Sequence, residues 1–330
     1  MDMWKCRATP EVFDASYNRG LPHAAPGLAP ASMTTNRSGA DTLLAHNSGM
    51  PTADELTHQQ KLQWSAAAAG WERWGDWFDQ NSSNLAGWLC DAAGLKPGHT
   101  ALDLACGSGQ PSATAAERVR PSGRVIATDL SPEMVAVTKR KAQKLGLDNL
   151  EAREMDMQAL TFPDAMFDAA TCRFGLMFCP DPVKAASEIQ RVLKPGARFA
   201  TAVWDVPAKN PFFTSITGVL GEFVPLPPPD PTAPGVFRLA PPGELERVLR
   251  AGGFSAVAVE ARPMTLTYKS LDEYWEIQTA LAAPLRAALA SLSPENVAAL
   301  KAKLFETLTP HLDGDTVTLT ATPLCASAVS

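Results

Sequence analysis

Glycines and acids in the middle of the chain have the spacing of a nucleoside-binding site. The apolar run at 101–105 predicts a buried strand, and it leads into Gly107-Ser108-Gly109, where the backbone can approach a ligand closely. A helical stretch follows, so free N–H groups at its start favour a carboxylate or phosphate. Asp129 ends the next apolar run 20 residues after Gly109, near the offset of an acid that binds ribose hydroxyls. Together these features predict a site for a nucleoside cofactor.

The same loop departs from the pattern that binds a dinucleotide. That pattern, G-x-G-x-x-G, needs a third glycine at the position occupied by Ser112, which follows Pro111. Asp103 lies inside the first predicted strand, where a carboxylate suits a cationic ligand or holds the backbone beside an amino group. The loop therefore favours a nucleoside cofactor that carries positive charge over a nicotinamide dinucleotide.

Longer sequence blocks around this loop resemble the class I S-adenosylmethionine (SAM) methyltransferases. DLACGSG at 103–109 is similar to the first motif of that family. LTFPDAMFD at 160–168, FGL at 174–176 and RVLKPG at 191–196 are similar to later blocks of the subfamily that includes ubiquinone and menaquinone biosynthesis methyltransferases. The resemblance extends over residues 84–205. It implies SAM as the cofactor and methyl transfer as the activity.

The resemblance also implies which residues hold the methionine and ribose parts of SAM. Backbone amides between Ala105 and Gly109, including that of Gly107, are expected to approach the methionine end. Asp103 is expected to accept hydrogen bonds from the methionine amine, directly or through water; the alternative is that it only caps the neighbouring turn. Asp129 is expected to bind the ribose diol through charge-assisted hydrogen bonds; the alternative is that Asp129-Leu130-Ser131 is only a helix N-terminus.

The adenine needs an apolar slot and a polar partner for its exocyclic amine. Leu130, Met134 and Met157 are expected to form the slot, and Asp156 is expected to accept from the amine. An acid in a loop is often only solvated, which is the alternative for Asp156. We therefore predict that the cofactor lies across the ends of the first three strands.

Two residues after the fourth and fifth predicted strands are candidates for the catalytic step, an in-line displacement at the sulfonium methyl. Arg173 is expected to face the methyl donor, where it could bind an anionic acceptor or a phenolate. Asp205 is a candidate general base, needed only if the acceptor must lose a proton. Either residue could instead make structural hydrogen bonds alone. We expect a small aromatic or apolar acceptor, methylated on oxygen or carbon, in a pocket lined by Phe174, Met177, Phe178, Phe212 and Phe213.

Alternating strand and helix patterns predict an α/β fold. The fold is a doubly wound, seven-stranded, mostly parallel Rossmann-like sheet with helices on both faces. The strands are expected at 100–105, 124–129, 150–154, 167–174, 197–204, 256–262 and 316–322, the last one antiparallel. Helices are expected at 112–120, 132–145, 183–193 and 244–251, with 271–308 helical as well.

The chain divides into a leader and one methyltransferase domain. Residues 1–53 are rich in Pro, Ala, Ser and Asn without periodicity, which predicts a disordered leader. A transit peptide and a start assigned too early both remain open for this leader. Residues 54–330 are expected to comprise N-terminal lid helices at 54–95, a SAM-binding core at 96–205, a substrate cap insertion at 206–243, and the C-terminal part of the sheet with a helical insertion at 244–330.

Composition excludes several classes of partner. The net charge of −6 argues against nucleic acid, and the basic run at 139–144 is expected to be a solvated helix face. Six scattered cysteines without a C-x-x-C pair predict neither a metal site nor a disulfide framework. No apolar run is long enough for a membrane span.

These exclusions leave a reducing compartment and a small-molecule partner. We expect a cytoplasmic location, with organellar targeting by the leader still open. The chain is expected to be a monomer or a homodimer. An NAD(P)-dependent oxidoreductase and a non-catalytic SAM-binding module remain the alternative functions.

Overall fold

The structure, a computed structural model, describes residues 51–82, 84–226 and 230–330. The leader predicted at 1–53 lies outside the described residues, apart from its last three positions. The helices are α1 (Ala53–Asn81), α2 (Leu85–Ala92), α3 (Ser112–Val119), α4 (Pro132–Leu145), α5 (Pro182–Val192), α6 (Pro211–Leu220), α7 (Glu244–Ala251), α8 (Leu271–Leu281), α9 (Ala283–Ala290) and α10 (Pro294–Leu308). The strands are β1 (Thr100–Leu104), β2 (Arg124–Asp129), β3 (Leu150–Glu154), β4 (Phe167–Arg173), β5 (Leu193–Trp204), β6 (Ser255–Ala261), β7 (Met264–Tyr268), β8 (Leu312–Asp313), β9 (Thr316–Ala321) and β10 (Pro323–Val329).

Seven of these strands form one sheet in the order β3-β2-β1-β4-β5-β10-β6. The first five strands in this order run parallel; in β1, Leu102 pairs with Ile126 on one side and with Ala170 on the other. Because the strands are parallel, β1 to β4 all end at the same edge of the sheet. The strand order reverses between β1 and β4, and open α/β sheets bind ligands at such a point. The predicted fold class is confirmed.

Local sequence sets the helix ends close to their predicted positions. The Ser131 hydroxyl accepts from the backbone N–H of Met134 and is followed by proline at the first helical position of α4. Asp181 caps α5 in the same way, through the N–H groups of Val183 and Lys184. Gly146 ends α4 with φ +64°, a left-handed conformation that glycine adopts without strain. These caps fix the residues at which α4 and α5 begin and at which α4 ends.

The prediction that residues 316–322 form the last strand of the large sheet was wrong. Residues 316–322 lie mostly in β9, which joins β7 and β8 in a separate three-stranded sheet. The antiparallel strand of the large sheet is β10, which inserts between β5 and β6. The reason lies in burial. β9 alternates buried and exposed residues, as suits a sheet with one covered face, whereas β10 is mostly buried and built of small residues such as Cys325 and Ala326, which do not alternate.

The remaining helices pack around this frame. α1 contacts α4, and it also contacts α8, α9 and β7. It therefore joins the first part of the large sheet to the C-terminal elements. α6, inside the predicted cap insertion, packs against α10 and β9. Among the described residues, none of the helices has the length and apolarity needed to cross a bilayer.

Candidate active site

The glycine loop is attached to the end of the second strand. The backbone N–H of Gly107 donates to Asp129 Oδ2 at 2.9 Å, and the N–H of Ser131 donates to Asp129 Oδ1 at 2.9 Å. Gly109 has φ +95°, and a Cβ there would lie 2.9 Å from the Lys141 side chain, so both conformation and space favour glycine. The loop after β1 is thereby held over the end of β2.

Asp129 is the acid at the centre of this arrangement. Its side chain is largely buried, and burial raises the pKa of the carboxyl to about 6 against the lowering effect of hydrogen bonds from Ser131, Gly107 and Leu130. Each carboxylate oxygen can accept a second hydrogen bond. Asp129 can therefore accept from two further donors, such as a vicinal diol, on the cavity that it lines.

Asp103 lies beneath the loop instead of in the cavity. Its carboxylate accepts from the Ser112 hydroxyl through Oδ2, and from the Thr171 hydroxyl through Oδ1 at 2.7 Å. The residue is fully buried, and burial raises its pKa to about 6, while Ser112, Thr171 and the charge of Arg173 lower it. These bonds join β1, α3 and β4. Asp103 thus supports the loop in this structure, and its predicted contact with a ligand amine remains a prediction.

A cavity opens over the ends of β1 to β4. Most of the predicted site residues line it: Ala105, Gly107, Asp129, Leu130, Met134, Asp156, Met157 and Arg173. The other three predicted site residues, Asp103, Gly109 and Asp205, are not among the lining residues. The structure thus brings the two acids at the ends of β2 and β3 together with the glycine loop and Arg173.

Arg173 is held by a carboxylate that the sequence reading missed. Its Nη1 donates to Asp79 Oδ1 at 2.8 Å, and its guanidinium lies 5.3 Å from the centre of the Phe78 ring. Lys141 Nζ contacts the other oxygen of Asp79 at 2.8 Å, and its side chain is only 16% exposed. The expected solvated face is therefore wrong at Lys141. One signal could have pointed to Asp79, because it falls four and eight residues after Gly75 and Trp71, on the same face of α1.

α1 forms one wall of the cavity. Trp64, Trp71 and Phe78 line it, and Trp64 packs edge-on against Phe178 with ring centres 4.9 Å apart. A Cβ at Gly75 would lie 2.7 Å from the Ser108 side chain, so the helix approaches the glycine loop closely. The wall beside the loop is therefore aromatic and tightly packed.

The region after β5 contributes less to the cavity than expected. Asp205 accepts from the N–H of Val206 and pairs with Lys209 Nζ at 2.7 Å, which fixes the turn after β5. Of the five expected pocket residues, Phe174 and Phe178 line the cavity, whereas Met177 and Phe212 are buried in the core and Phe213 packs on Trp204. The expectation that all five line one pocket was therefore wrong, because α1 supplies the wall instead.

The cap segment nevertheless supports the cavity from outside. Arg238 donates to the carbonyls of Cys179 and Pro180, both of which line the cavity, and the N–H of Gly235 donates to the Met177 carbonyl at 3.1 Å. The segment thus braces the loop after β4 from behind. Its predicted role as a substrate cap remains a prediction.

Residues 102–201 match a family model described as a methyltransferase domain. This match confirms the predicted resemblance to the class I SAM-dependent methyltransferases. Domains of this class take their methyl group from SAM, the cofactor that the sequence predicts.

The similarity to particular proteins is partial. The chain is 38% identical over 122 residues to the ubiquinone/menaquinone biosynthesis C-methyltransferase UbiE of Pasteurella multocida, over 37% of this chain and 46% of that protein. It thus spans about half the length of the curated relatives it matches. A candidate methyltransferase from Bacillus halodurans C-125 superposes with a TM-score of 0.51 and 20% identity, over 75% of this chain and 99% of that one. The Haemonchus contortus phosphoethanolamine N-methyltransferase 2 superposes with a TM-score of 0.50 and 19% identity, over 86% of this chain and 60% of that one. The two structural matches show the fold alone.

Proposed function

We propose that this chain transfers a methyl group from SAM to a small organic acceptor. The observation that supports this proposal is the glycine loop fixed to Asp129, in a cavity that also has an aromatic wall formed by α1. A diol-binding acid beside an amide-rich turn suits a nucleoside with an amino-acid tail, and the aromatic wall suits an apolar acceptor next to it.

The polar groups of the cavity fit the parts of SAM. Asp129 would accept from the ribose hydroxyls, and the loop between Ala105 and Gly109 would lie beside the methionine end. The N–H of Gly107 is bonded to Asp129 and would hold that acid in place instead of contacting the methionine. Leu130, Met134 and Met157 offer an apolar slot for the adenine, and Asp156 an acceptor for its amine. Burial and fixed hydrogen bonds hold Asp129 in place before a ligand arrives, so little reorganisation is needed on binding.

Reaction in this site would depend mainly on orientation. When bound, SAM supplies a methyl group on a positively charged sulfur. The protein's part is to exclude water and to align the acceptor, and alignment alone is worth about 7–11 kcal/mol in favourable cases. The wall of Trp64, Trp71 and Phe78 supports the exclusion of water.

Arg173 is the side chain we assign to the acceptor. It lines the cavity, its side chain is 5% exposed, and Asp79 fixes its position. Its remaining N–H groups can donate to a hydroxyl or phenolate oxygen, which would orient an aromatic ring against Phe174 and Phe178. The relatives named as C-methyltransferases favour a ring carbon as the methylated atom, and the oxygen of the same ring is the second possibility.

Methyl transfer is tested by turnover. Purified protein is incubated with SAM and a panel of phenols and quinols, and release of S-adenosylhomocysteine (SAH) and of methylated product is measured by mass spectrometry. We expect at least one acceptor to give equal amounts of both products. SAH binding without turnover on any acceptor would favour a non-catalytic SAM-binding module, and NADH binding would favour an oxidoreductase.

A further inference from the structure

Two side chains of α1 line the cavity and carry buried polar atoms that have no partner in the described part of the chain. Gln60 lines the cavity and is only 9% exposed, yet its Oε1 accepts from no group in the described part of the chain. Trp71 also lines the cavity, and its Nε1 donates to none of the described residues. Buried polar groups in native proteins are nearly always hydrogen-bonded, so these two atoms need partners from a ligand or bound water.

The position of each atom follows from the path of α1 over the sheet. Near its start, Lys61 pairs with Glu154 at the end of β3, and the hydroxyl of Ser65 lies 3.0 Å from that of Ser131 after β2. Gln60 therefore lies over the ends of β2 and β3. These are the strands that carry Asp129 and Asp156, so Gln60 faces the part of the cavity assigned to the nucleoside.

The second half of α1 lies over the other two strands. Gly75 contacts Ser108 of the glycine loop, and Asp79 contacts Arg173 at the end of β4. Trp71, one turn before Gly75, therefore lies beside the loop. Ser108 also lines the cavity there, and its hydroxyl is a third buried group that none of the described residues satisfies. The Trp71 Nε1–H and the Ser108 hydroxyl can both donate a hydrogen bond, which suits an anionic group.

We propose that α1 binds the cofactor at two points, with Gln60 hydrogen-bonded to the nucleoside and Trp71 hydrogen-bonded to the amino-acid carboxylate. This inference rests on the proposed function, since it assumes that SAM occupies the cavity. It makes α1 part of the cofactor site and not only a cover over it. Packing of α1 over the cavity and cofactor binding then stabilise each other.

The first variant is Gln60→Leu, which keeps the size of the side chain but removes both polar groups. Binding of SAH is measured by calorimetry, and we expect it to weaken about fivefold, as for one lost neutral hydrogen bond. Leucine removes a buried amide oxygen that has no partner among the described residues, and with it only a long contact from Nε2 to Gln63 Oε1 at 3.4 Å, so the melting temperature without ligand should stay equal or rise. A merely structural role would lower it instead. Gln59→Leu, at the exposed neighbouring position, is the matched control and should bind SAH like the wild type.

The second variant is Trp71→Phe, which keeps an aromatic ring against Phe78 but removes the N–H donor. Its binding is compared with two ligands, SAH and 5′-methylthioadenosine, which lacks the amino-acid carboxylate. Trp71→Phe should weaken the binding of SAH about fivefold and leave the binding of 5′-methylthioadenosine unchanged. Gln60→Leu should weaken the binding of both ligands. Trp74→Phe is the control, because the Trp74 Nε1 is equally unpartnered among the described residues but does not line the cavity.

The outcomes separate this inference from the proposed function. Wild-type protein that binds SAH, with Gln60→Leu and Trp71→Phe binding it equally well, would overturn the two contacts and leave the function standing. A wild type that does not bind SAH would overturn the proposed function and this inference with it. Equal weakening of both ligands by both variants would overturn the division between nucleoside and carboxylate.

Discussion

The cofactor edge of the cavity and its aromatic wall are held in place by different kinds of contact. At the edge, Asp129 is bonded to the backbone N–H groups of Gly107 and Ser131, which lie 22 and 2 residues away in the sequence. At the wall, Arg173 is bonded to Asp79, 94 residues away. The edge is thus built within the β1–α3–β2 unit, and the wall by the packing of α1 against distant strands.

Asp79→Asn tests the wall and should have the largest effect on stability. The substitution leaves Arg173, whose side chain is 5% exposed, without its carboxylate, and it removes a partner of Lys141. Breaking one side of a buried ion pair costs about 3 kcal/mol in the free energy of unfolding. Chemical denaturation measures this loss. Asp76→Asn, on the same helix but with a side chain 61% exposed, should cost less than about 1 kcal/mol. Equal losses in the two variants would contradict a wall that depends on Asp79.

Asp129→Ala tests the edge. Loss of the charged acceptor should weaken SAM and SAH binding about 10- to 100-fold, the range for hydrogen bonds to a charged group. Calorimetry measures the affinity, and circular dichroism checks that the fold is kept. Asp148→Ala is the control, because its side chain is 90% exposed and pairs only at the surface with Arg120. If Asp129→Ala binds SAM normally, the acid at the end of β2 is not the ribose partner.

The pH dependence of SAH binding is a second test of Asp129 as the ribose partner. Burial raises the pKa of Asp129 to about 6, and ribose hydroxyls donate to the ionised form. As the pH falls through about 6, the carboxyl is protonated and SAH affinity should fall, by up to about tenfold per pH unit, until the lower pKa of the complex is reached. Asp103 has a raised pKa of similar value, so Asp129→Ala is the control. If the SAH affinity of this variant falls between pH 7 and 5 as steeply as that of the wild type, the titrating group is not Asp129.

Asp205→Asn should have the smallest effect. Asp205 pairs with Lys209 and does not line the cavity, so SAH affinity and turnover should both stay within about twofold of the wild type. Lys209→Met removes the same ion pair and serves as the control. A loss of turnover of a hundredfold or more, confined to Asp205→Asn, would restore the predicted general base and show that the cavity extends past β5 during the reaction.

The parts of the fold that could be predicted from the sequence are those whose ends are marked by nearby residues. β1, β2, β3 and α4 fall within a residue of their predicted bounds, because apolar runs, a serine cap and Gly146 mark their ends. The strand at 316–322 was misassigned to the large sheet, since its alternation shows that one face is covered but not by what. β10, which takes that place, is a run of small residues without periodicity.

The site divides in the same way. The glycine loop, Asp129 and Asp156 could be placed because each follows directly on a recognisable strand. The spacing of Asp79 from Trp71 and Gly75 marks its face of α1 but not its partner Arg173, because that contact depends on where α1 lies over β4. Gln60 was missed for the same reason, and its polar atoms become conspicuous only when the helix is seen to bury them.

A calorimetric titration of the wild-type chain with SAH, and of a second sample with NADH, tests the central claim most directly. The geometry around Asp129 predicts micromolar binding of SAH with one site per chain and no heat from NADH. Binding of NADH alone would contradict the account, because it would show that the loop accepts a dinucleotide despite Ser112 at the position of the third glycine.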